Sequence, residues 1–367
     1  MEVMSTVSKS PRKVAAVALE VGTRTLPLYG HRYSRKDFTQ PQLFVCLVLR
    51  QFFETDYRGI VAILADWSTL REDLGLMKVP HFTTLQKAER KLLGDAQIKH
   101  MLGETVALFH HHEEVSCPDE DSEGTRKVAE KIELVAADST GFESTRCSHY
   151  FVRRRQRGQQ QVQNPNYQTT TYRRFAKVGV VVDCGNHMIL ATHRGQGPCP
   201  DVDQLENLLA GFVNNAVPET MLLDAGYDSE ANHQLLREEL GIESWIPPRI
   251  GRPTGKLPAG KWRCLMATDF NEELFGQRWQ CETVMFMLKQ HQGDAVKARK
   301  YQTGRREMGL MCVTHNIMIV YVLGGFLQGR TGPIIFGSWR IHFSFLGMQK
   351  TGTGVWILHA SKSLGRG

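Results

Sequence analysis

The sequence predicts an α/β fold, in which a mixed β-sheet is flanked by helices and preceded by a small all-α domain. Two apolar runs, Leu134–Ala137 and Met221–Leu223, have the composition of buried strands. Strand and helix patterns alternate from the first of these runs onward, whereas the residues before it carry helix signals. Each run leads directly into an aspartate, Asp138 or Asp224, and this recurrence predicts two carboxylates at one edge of the sheet. A single such aspartate more often caps a turn.

Length, composition and charge limit the functional classes. A chain of 367 residues with 41% hydrophobic residues is long enough for one large domain or two ordinary ones. The net charge of +7 and the pI near 9.0 favour a polyanionic partner. The eight cysteines include no Cys-x-x-Cys pair, which predicts reduced thiols in a cytoplasmic protein rather than a disulfide framework.

Neither a secretory signal nor a membrane span is expected. Residues 1–36 are polar and basic, without an apolar core segment. Residues 309–329 lack Asp, Glu, Lys and Arg for about the length of a bilayer crossing. Because Thr314, His315 and Asn316 interrupt this stretch, it is interpreted as a buried helix, and no membrane partner is expected.

The amino-terminal third is expected to contain an arm, a helical domain and a linker. Residues 1–37 show no clear hydrophobic period and are interpreted as a flexible basic arm. Residues 116–131 combine acidic residues with Ser, Gly and Pro, as is typical of an exposed linker. Between them, residues 38–115 are interpreted as a helical domain. Helix starts are indicated by threonines with Gln or Glu three residues later, at Thr39, Thr69 and Thr83.

The last helix of that domain, residues 83–93, carries a basic outer face. Apolar residues at helical spacing form its inner face, and Lys87 and Arg90 lie on the outside. A helix of this kind after a Pro-containing turn favours the recognition helix of a helix-turn-helix, which would make residues 38–115 a DNA-binding domain. A small bundle with a solvated basic face explains the pattern equally well.

Residues 132–325 carry the order strand, basic excursion, strand, turn, strand, helix, strand, helix, strand. A hairpin turn is expected at residues 184–187, and helical spacing follows in 202–217 and 230–240. This order is that of the ribonuclease-H-like fold, a mixed sheet with helices on its faces. Residues 326–367, rich in Gly and aromatic residues, are interpreted as an atypical carboxy-terminal tail.

A third carboxylate is expected on a helix facing the strand ends. Glu282 lies in the helical stretch 275–289, with Arg278 four residues before it and Lys289 seven residues after it on the same side. A carboxylate on one side of a helix can bind metal ions, and two cations on the same side can bind a phosphate backbone. The alternative for Arg278 and Glu282 is an ordinary surface ion pair. Their position after the two aspartate-bearing strands favours the site.

These residues together resemble the signature of bacterial insertion-sequence transposases of the DDE type, in the group with the motif Tyr-x2-Arg-x3-Glu-x6-Lys. The three catalytic acidic residues of that family are matched by Asp138, Asp224 and Glu282. Arg278 and Lys289 match the two basic residues of the motif. Phe275 stands where the family has tyrosine, so a hydroxyl group is absent. The resemblance covers residues 38–321.

The resemblance implies a DNA transposase that cleaves at element ends and transfers strands. It implies two Mg²⁺ (or Mn²⁺) ions held by the three carboxylates. It also implies DNA, as element ends and target, for a partner, a homodimer assembled on that DNA, and a nucleoid-associated location in a bacterial cytoplasm. Two alternatives remain open: a ribonuclease-H-like nuclease that cuts without joining ends, and an inactive copy that only binds DNA.

Two basic segments flank the predicted carboxylates along the chain. The first follows Asp138 and contains Arg153, Arg154 and Arg155. The second, residues 297–306, follows the Glu282 helix and contains five Lys or Arg residues. Both are expected to bind DNA phosphates, and such binding should weaken steeply with salt. The alternative is a solvated surface.

Overall fold

The computed structural model describes residues 7–116, 132–144, 174–212, 217–249, 256–327, 348–350 and 356–358. The chain divides into two compact units, Met1–Gly329 and Arg330–Gly367. Several predicted features lie outside the described residues: Arg153, Arg154 and Arg155, nearly all of the acidic linker 116–131, and most of the tail 326–367.

Residues 7–116 form six helices. These are α1 Pro11–Thr25, α2 Gln40–Phe52, α3 Tyr57–Asp66, α4 Ser68–Asp73, α5 Phe82–Leu92 and α6 Asp95–Ser116. The prediction of a flexible arm over residues 1–37 is wrong at α1. Val14, Ala18 and Val21 recur at helical spacing and are fully buried, so the helix is held by packing against the rest of the domain.

The predicted helix starts are partly confirmed. At α2, Thr39 Oγ1 accepts a hydrogen bond from the Gln42 amide and the Gln42 side chain accepts one from the Thr39 amide, which is the predicted capping box. The boxes expected at Thr69 and Thr83 are wrong. α4 starts without a side-chain cap, and α5 starts one residue earlier than expected, with the His81 ring accepting from the Thr83 amide.

A mixed sheet of six strands forms the centre of the first unit. Its strands are β1 Leu134–Ser144, β2 Phe175–Asp183, β3 Ile189–Gly197, β4 Thr220–Leu223, β5 Glu243–Trp245 and β6 Ala295–Val296. The order is β3-β2-β1-β4-β5, with β6 paired to β1. β2 is antiparallel to both β1 and β3, whereas β4 and β6 pair in parallel with β1, and β5 pairs in parallel with β4. The predicted mixed sheet flanked by helices, behind an all-helical region, is confirmed.

Helices cover both faces of this sheet. They are α7 Leu205–Leu209, α8 Glu230–Gln234 (continued by a π-helical turn, Leu235–Glu239), α9 Lys261–Thr268, α10 Glu272–Gly276, α11 Trp279–Gln292 and α12 Tyr301–Leu327, with 3₁₀ turns at Val202–Gln204 and Ala225–Tyr227. Alternate residues of the strands contribute to two separate cores. Ala136, Val180 and Leu222 pack with the amino-terminal helices, α11 and α12. Ala137 and Leu223 pack with α7 and the Tyr227 turn.

α12 contains the apolar stretch considered as a membrane span. Thr314, His315 and Asn316 are buried there inside the first unit. Within the part of the chain that the structure describes, no helix combines the length and apolar character that a bilayer crossing requires. In the second unit, β7 Met348–Lys350 pairs antiparallel with β8 Trp356–Leu358.

Candidate active site

The register of two parallel strands brings Asp138 and Asp224 side by side. The last paired residues of β1 and β4 are Ala137 and Leu223, and each is followed directly by its aspartate. Neighbouring strands lie about 4.8 Å apart, so the two aspartates start from adjacent backbone positions. β1 does not end at Asp138, as the sequence suggested, but continues to Ser144 because it stays paired with β2. Asp138 lies beyond the end of the neighbouring strand because β4 ends at Leu223, the partner of Ala137.

Strand alternation directs Asp138 and Ser139 to opposite faces of the sheet. Asp138 follows Ala136 on the face that packs against α11, and Ser139 follows Ala137 on the face that packs against α7. Asp224 follows Leu222, which also belongs to the α11 face. Both aspartates are therefore placed to meet side chains of α11.

The amino-terminal end of α11 supplies those side chains. Arg278, the residue before the helix, lies with Nη1 3.4 Å from Asp138 Oδ2 and with Nη2 2.5 Å from Glu282 Oε1. The predicted ion pair of Arg278 with Glu282 is present, but the same guanidinium also contacts the first aspartate. Glu282 lies in the first turn of α11, where the helix dipole favours a negative charge.

The three acidic side chains share one electrostatic environment. Burial raises the pKa of Asp138 above its usual value, and the amide of Ser139 and the Arg278 guanidinium act against this rise. The negative charges of Asp224 and Glu282 raise the same pKa further. Asp138 therefore feels both other carboxylates, as a shared site requires.

The carboxylate oxygens of Asp138, Asp224 and Glu282 are suitable ligands for a hard divalent cation. In this structure, however, two of these side chains are positioned to bind Arg278. Carboxylate oxygens are the ligands that Mg²⁺ and Mn²⁺ prefer. Among the residues with described positions, no three His, Cys, Asp or Glu side chains are arranged to hold a metal ion. The guanidinium bridges Asp138 and Glu282, so these carboxylates would have to release Arg278 before all three could share an ion.

The other two residues at motif positions are Lys289 and Phe275. The Lys289 ammonium lies 5.6 Å from the ring centre of Phe142, four residues beyond Asp138 on the strand. The guanidinium carbon of Arg278 lies 5.8 Å from the ring centre of Phe275, which packs edge-on against Phe270. The Phe275 side chain is therefore an apolar neighbour of Arg278 and has no hydroxyl group to donate a hydrogen bond.

The predicted DNA-binding cations of α5 are both exposed. Lys87 and Arg90 lie on the solvent side, whereas Glu89 between them is buried. Glu89 accepts a hydrogen bond from the Tyr57 hydroxyl and forms an ion pair with Arg50 at 3.0 Å. This buried group fixes α5 to α2 and α3.

A fourth carboxylate, Asp201, lies at the site and was missed from the sequence. It accepts a hydrogen bond from the Ser139 hydroxyl at 2.7 Å and forms an ion pair with the Lys177 ammonium at 2.8 Å. A Cβ atom on Gly226 would lie 3.6 Å from Asp224 Oδ2 and 3.7 Å from Asp201 Oδ2, so the two carboxylates flank this glycine. The available signal was a third strand followed by Asp, but two prolines separate Asp201 from β3.

Asn316 ties the long helix to the sheet. Its side-chain oxygen accepts from the Ile189 amide at 2.9 Å, and its nitrogen donates to the Ile189 carbonyl at 2.9 Å and to Thr105 Oγ1 at 3.0 Å. A buried amide with these partners is satisfied structurally and does not reach the carboxylates.

Comparison with known protein families shows what the chain is similar to. A family model described as the transposase DDE domain matches residues 129–317, slightly more than half of the chain. The matched segment starts just before β1, ends within α12 and contains the three carboxylates described above. No curated protein matches the chain.

Proposed function

Because the chain belongs to the transposase DDE domain family, we propose that it is a DNA transposase of an insertion sequence that cleaves at element ends and transfers strands. The observation that carries this proposal is the register of β1 and β4, which sets Asp138 beside Asp224 under the helix that holds Glu282. Adjacent parallel strands are a rigid base for two carboxylates, and a preorganised acidic pair is what charge stabilisation at a phosphate needs.

We assign Asp138, Asp224 and Glu282 as the catalytic residues that would hold two Mg²⁺ or Mn²⁺ ions. Such ions supply positive charge to the attacking and leaving oxygens of a phosphodiester. The protein's own contribution is positional: the aspartates are fixed by the sheet, and Glu282 is 56% exposed and free to change partner. Mutual repulsion among three carboxylates favours uptake of cations.

We assign Arg278 and Lys289 to the DNA backbone. A guanidinium binds phosphate oxygens in the same bidentate way as it binds carboxylates, so Arg278 has an alternative partner when Asp138 and Glu282 turn to metal ions. Lys289 of α11 has its ammonium group near Phe142, farther along β1 than Asp138, where it would make a second phosphate contact. Lys87, Arg90 and the segment Arg153, Arg154 and Arg155 are proposed to bind DNA as well.

The wider organisation belongs to the same proposal. Residues 38–115 would act as the DNA-binding domain and residues 132–325 as the catalytic domain. Two copies would be needed to hold two element ends, so a homodimer on DNA is expected. A protein whose substrate is chromosomal DNA would be found at the bacterial nucleoid.

The test is a strand-transfer assay with purified protein and Mn²⁺. The labelled substrate is a duplex carrying the DNA that flanks the coding region, and a supercoiled plasmid is the target. A transposase gives both cut and joined product. Cut product without joined product would establish the nuclease alternative, and DNA binding without either product would establish the inactive copy. The Asp138→Ala variant is the control for contaminating nuclease.

A further inference from the structure

Three adjoining cavities extend from the helical region to Ser139 and Asp201, at the α7 face of the sheet. The largest, about 910 Å³, lies between α3 and α5 on one side and residues 297–303 on the other. The second, about 440 Å³, shares Ala298, Arg299, Lys300 and Tyr301 with the first. The third, about 260 Å³, shares Tyr301 with both and is lined by Ser139 and Asp201. We call these three cavities the trough.

The rim of the trough carries cations that have no acidic partner within it. The first cavity is lined by Arg90 of α5, by Arg299 and Lys300 just before α12, and by Arg306 within α12. None of these four forms an ion pair with another residue that the structure describes. An unpaired exposed cation gains from a polyanionic ligand, because its charge is otherwise balanced only by salt.

The acidic side chains in the floor of the first cavity already have partners, and Asp56 accepts the amides of Arg58 at 2.9 Å and Gly59 at 2.8 Å. Glu89 is engaged by Arg50 and Tyr57. Glu307 accepts the amides of Lys297 at 3.0 Å and Ala298 at 2.9 Å. The rim cations therefore do not serve to neutralise the floor. The Glu307 contacts instead fix the backbone that leads directly into Arg299 and Lys300.

Aromatic side chains accompany the cations. Tyr301 lines all three cavities and is 46% exposed. The Arg58 guanidinium lies 4.8 Å from the ring centre of Phe82 at the opposite wall. Phe82 is half-buried and Tyr301 is exposed, and cations interleaved with accessible rings are typical of surfaces that bind nucleic acid.

Resting on the proposed transposase function, we infer that the trough is the path of the DNA backbone from the helical region to Asp201, whose carboxylate flanks Gly226 together with that of Asp224. Arg90, Arg299, Lys300 and Arg306 bind phosphates, and Tyr301 marks the point at which the strand turns toward the carboxylates. The inference separates two cations of the same helix: Arg90 lines the trough, whereas Lys91, equally exposed, does not.

The test measures binding of a fluorescent duplex of random sequence by anisotropy, in EDTA, between about 50 and 200 mM salt. The variants are Arg90→Ala and the double variant Arg299→Ala, Lys300→Ala. The matched control is Lys91→Ala, and Lys87→Ala tests the helix-turn-helix alternative. Thermal melting of each variant checks that it is folded.

We expect Arg90→Ala to reduce the slope of log K against log salt by about 0.9, and the double variant by about twice that, as each lost phosphate contact predicts. Lys91→Ala should leave the slope unchanged. An unchanged slope for the double variant, or equal effects of Arg90→Ala and Lys91→Ala, would overturn the inference. Because no metal is present, the result does not depend on whether the protein cuts or joins DNA.

Discussion

Replacing Arg278 with alanine is expected to tighten divalent-ion binding in the absence of DNA and to weaken DNA cleavage. The guanidinium lies 3.4 Å from Asp138 and 2.5 Å from Glu282, so it competes with an added cation for both carboxylates. Without it, the repulsion among Asp138, Asp224 and Glu282 is uncompensated, and a divalent ion relieves more of it. Cleavage should fall because the proposed phosphate contact is lost.

The size of the effect follows from exposure. Two unit charges about 4 Å apart interact by about 4 kcal/mol at an effective dielectric constant near 20. Arg278 is 20% exposed and Glu282 56% exposed, so solvent screens the pair. Exposed pairs contribute about 0.2–1 kcal/mol. We therefore expect a gain of about 1 kcal/mol in metal binding, which is a roughly fivefold lower Kd.

The assay is calorimetric titration of the DNA-free protein with Mn²⁺, followed by cleavage at saturating Mn²⁺. The control is Arg24→Ala, which removes another ion pair of the same helical spacing, with Glu20, far from these carboxylates in the sequence. An unchanged or higher Kd in Arg278→Ala would refute the view that this guanidinium occupies the place of a metal ion.

Three further predictions concern catalysis, stability and pH. Alanine in place of Asp138, Asp224 or Glu282 should each lower cleavage at least about a hundredfold in a gel assay, while DNA binding in EDTA persists. Near-normal cutting by one of these variants would show that its residue is not part of the site. Glu89→Gln removes the carboxylate that forms the 3.0 Å ion pair with buried Arg50 and should lower the free energy of unfolding in urea by about 3–5 kcal/mol, whereas the exposed Glu72→Gln should not. Burial lowers the pKa of His315 to about 4, so the unfolded chain binds more protons between about pH 4 and 6.5 and stability should fall as pH is lowered through that window. His315→Gln should flatten this fall and the exposed His100→Gln should not; equal curves for the two would contradict the assignment.

The mixed sheet and the helical region were accessible from the sequence because each is encoded locally. Apolar runs, helical spacing and the Thr39 cap are properties of neighbouring residues. α1 was missed because the helical spacing of its apolar residues is confined to Pro11–Thr25. Polar residues on either side hide this spacing when residues 1–36 are considered as one segment. The position of β1 beyond Asp138 depends on pairing with β2, which no local pattern contains.

The candidate site was accessible in part. The sequence indicated which residues end or follow apolar runs, and so identified Asp138 and Asp224. Their adjacency arises from the parallel register of β1 and β4, and the contact of Arg278 with Asp138 joins residues 140 positions apart. The position of Asp201 also depends on the folded sheet, because its partners Ser139 and Lys177 come from two different strands, β1 and β2.

The two-faced geometry of β1 restricts how this chain can vary in length. The side chains of Asp138 and Ser139 point to opposite faces of the sheet. Inserting or deleting a single residue between Leu134 and Ala137 would therefore exchange the faces to which they point. The acid would then turn toward α7 and the hydroxyl toward α11. We expect substitutions in this segment to be tolerated far better than single-residue indels, because only the latter invert the parity on which the acidic pair depends.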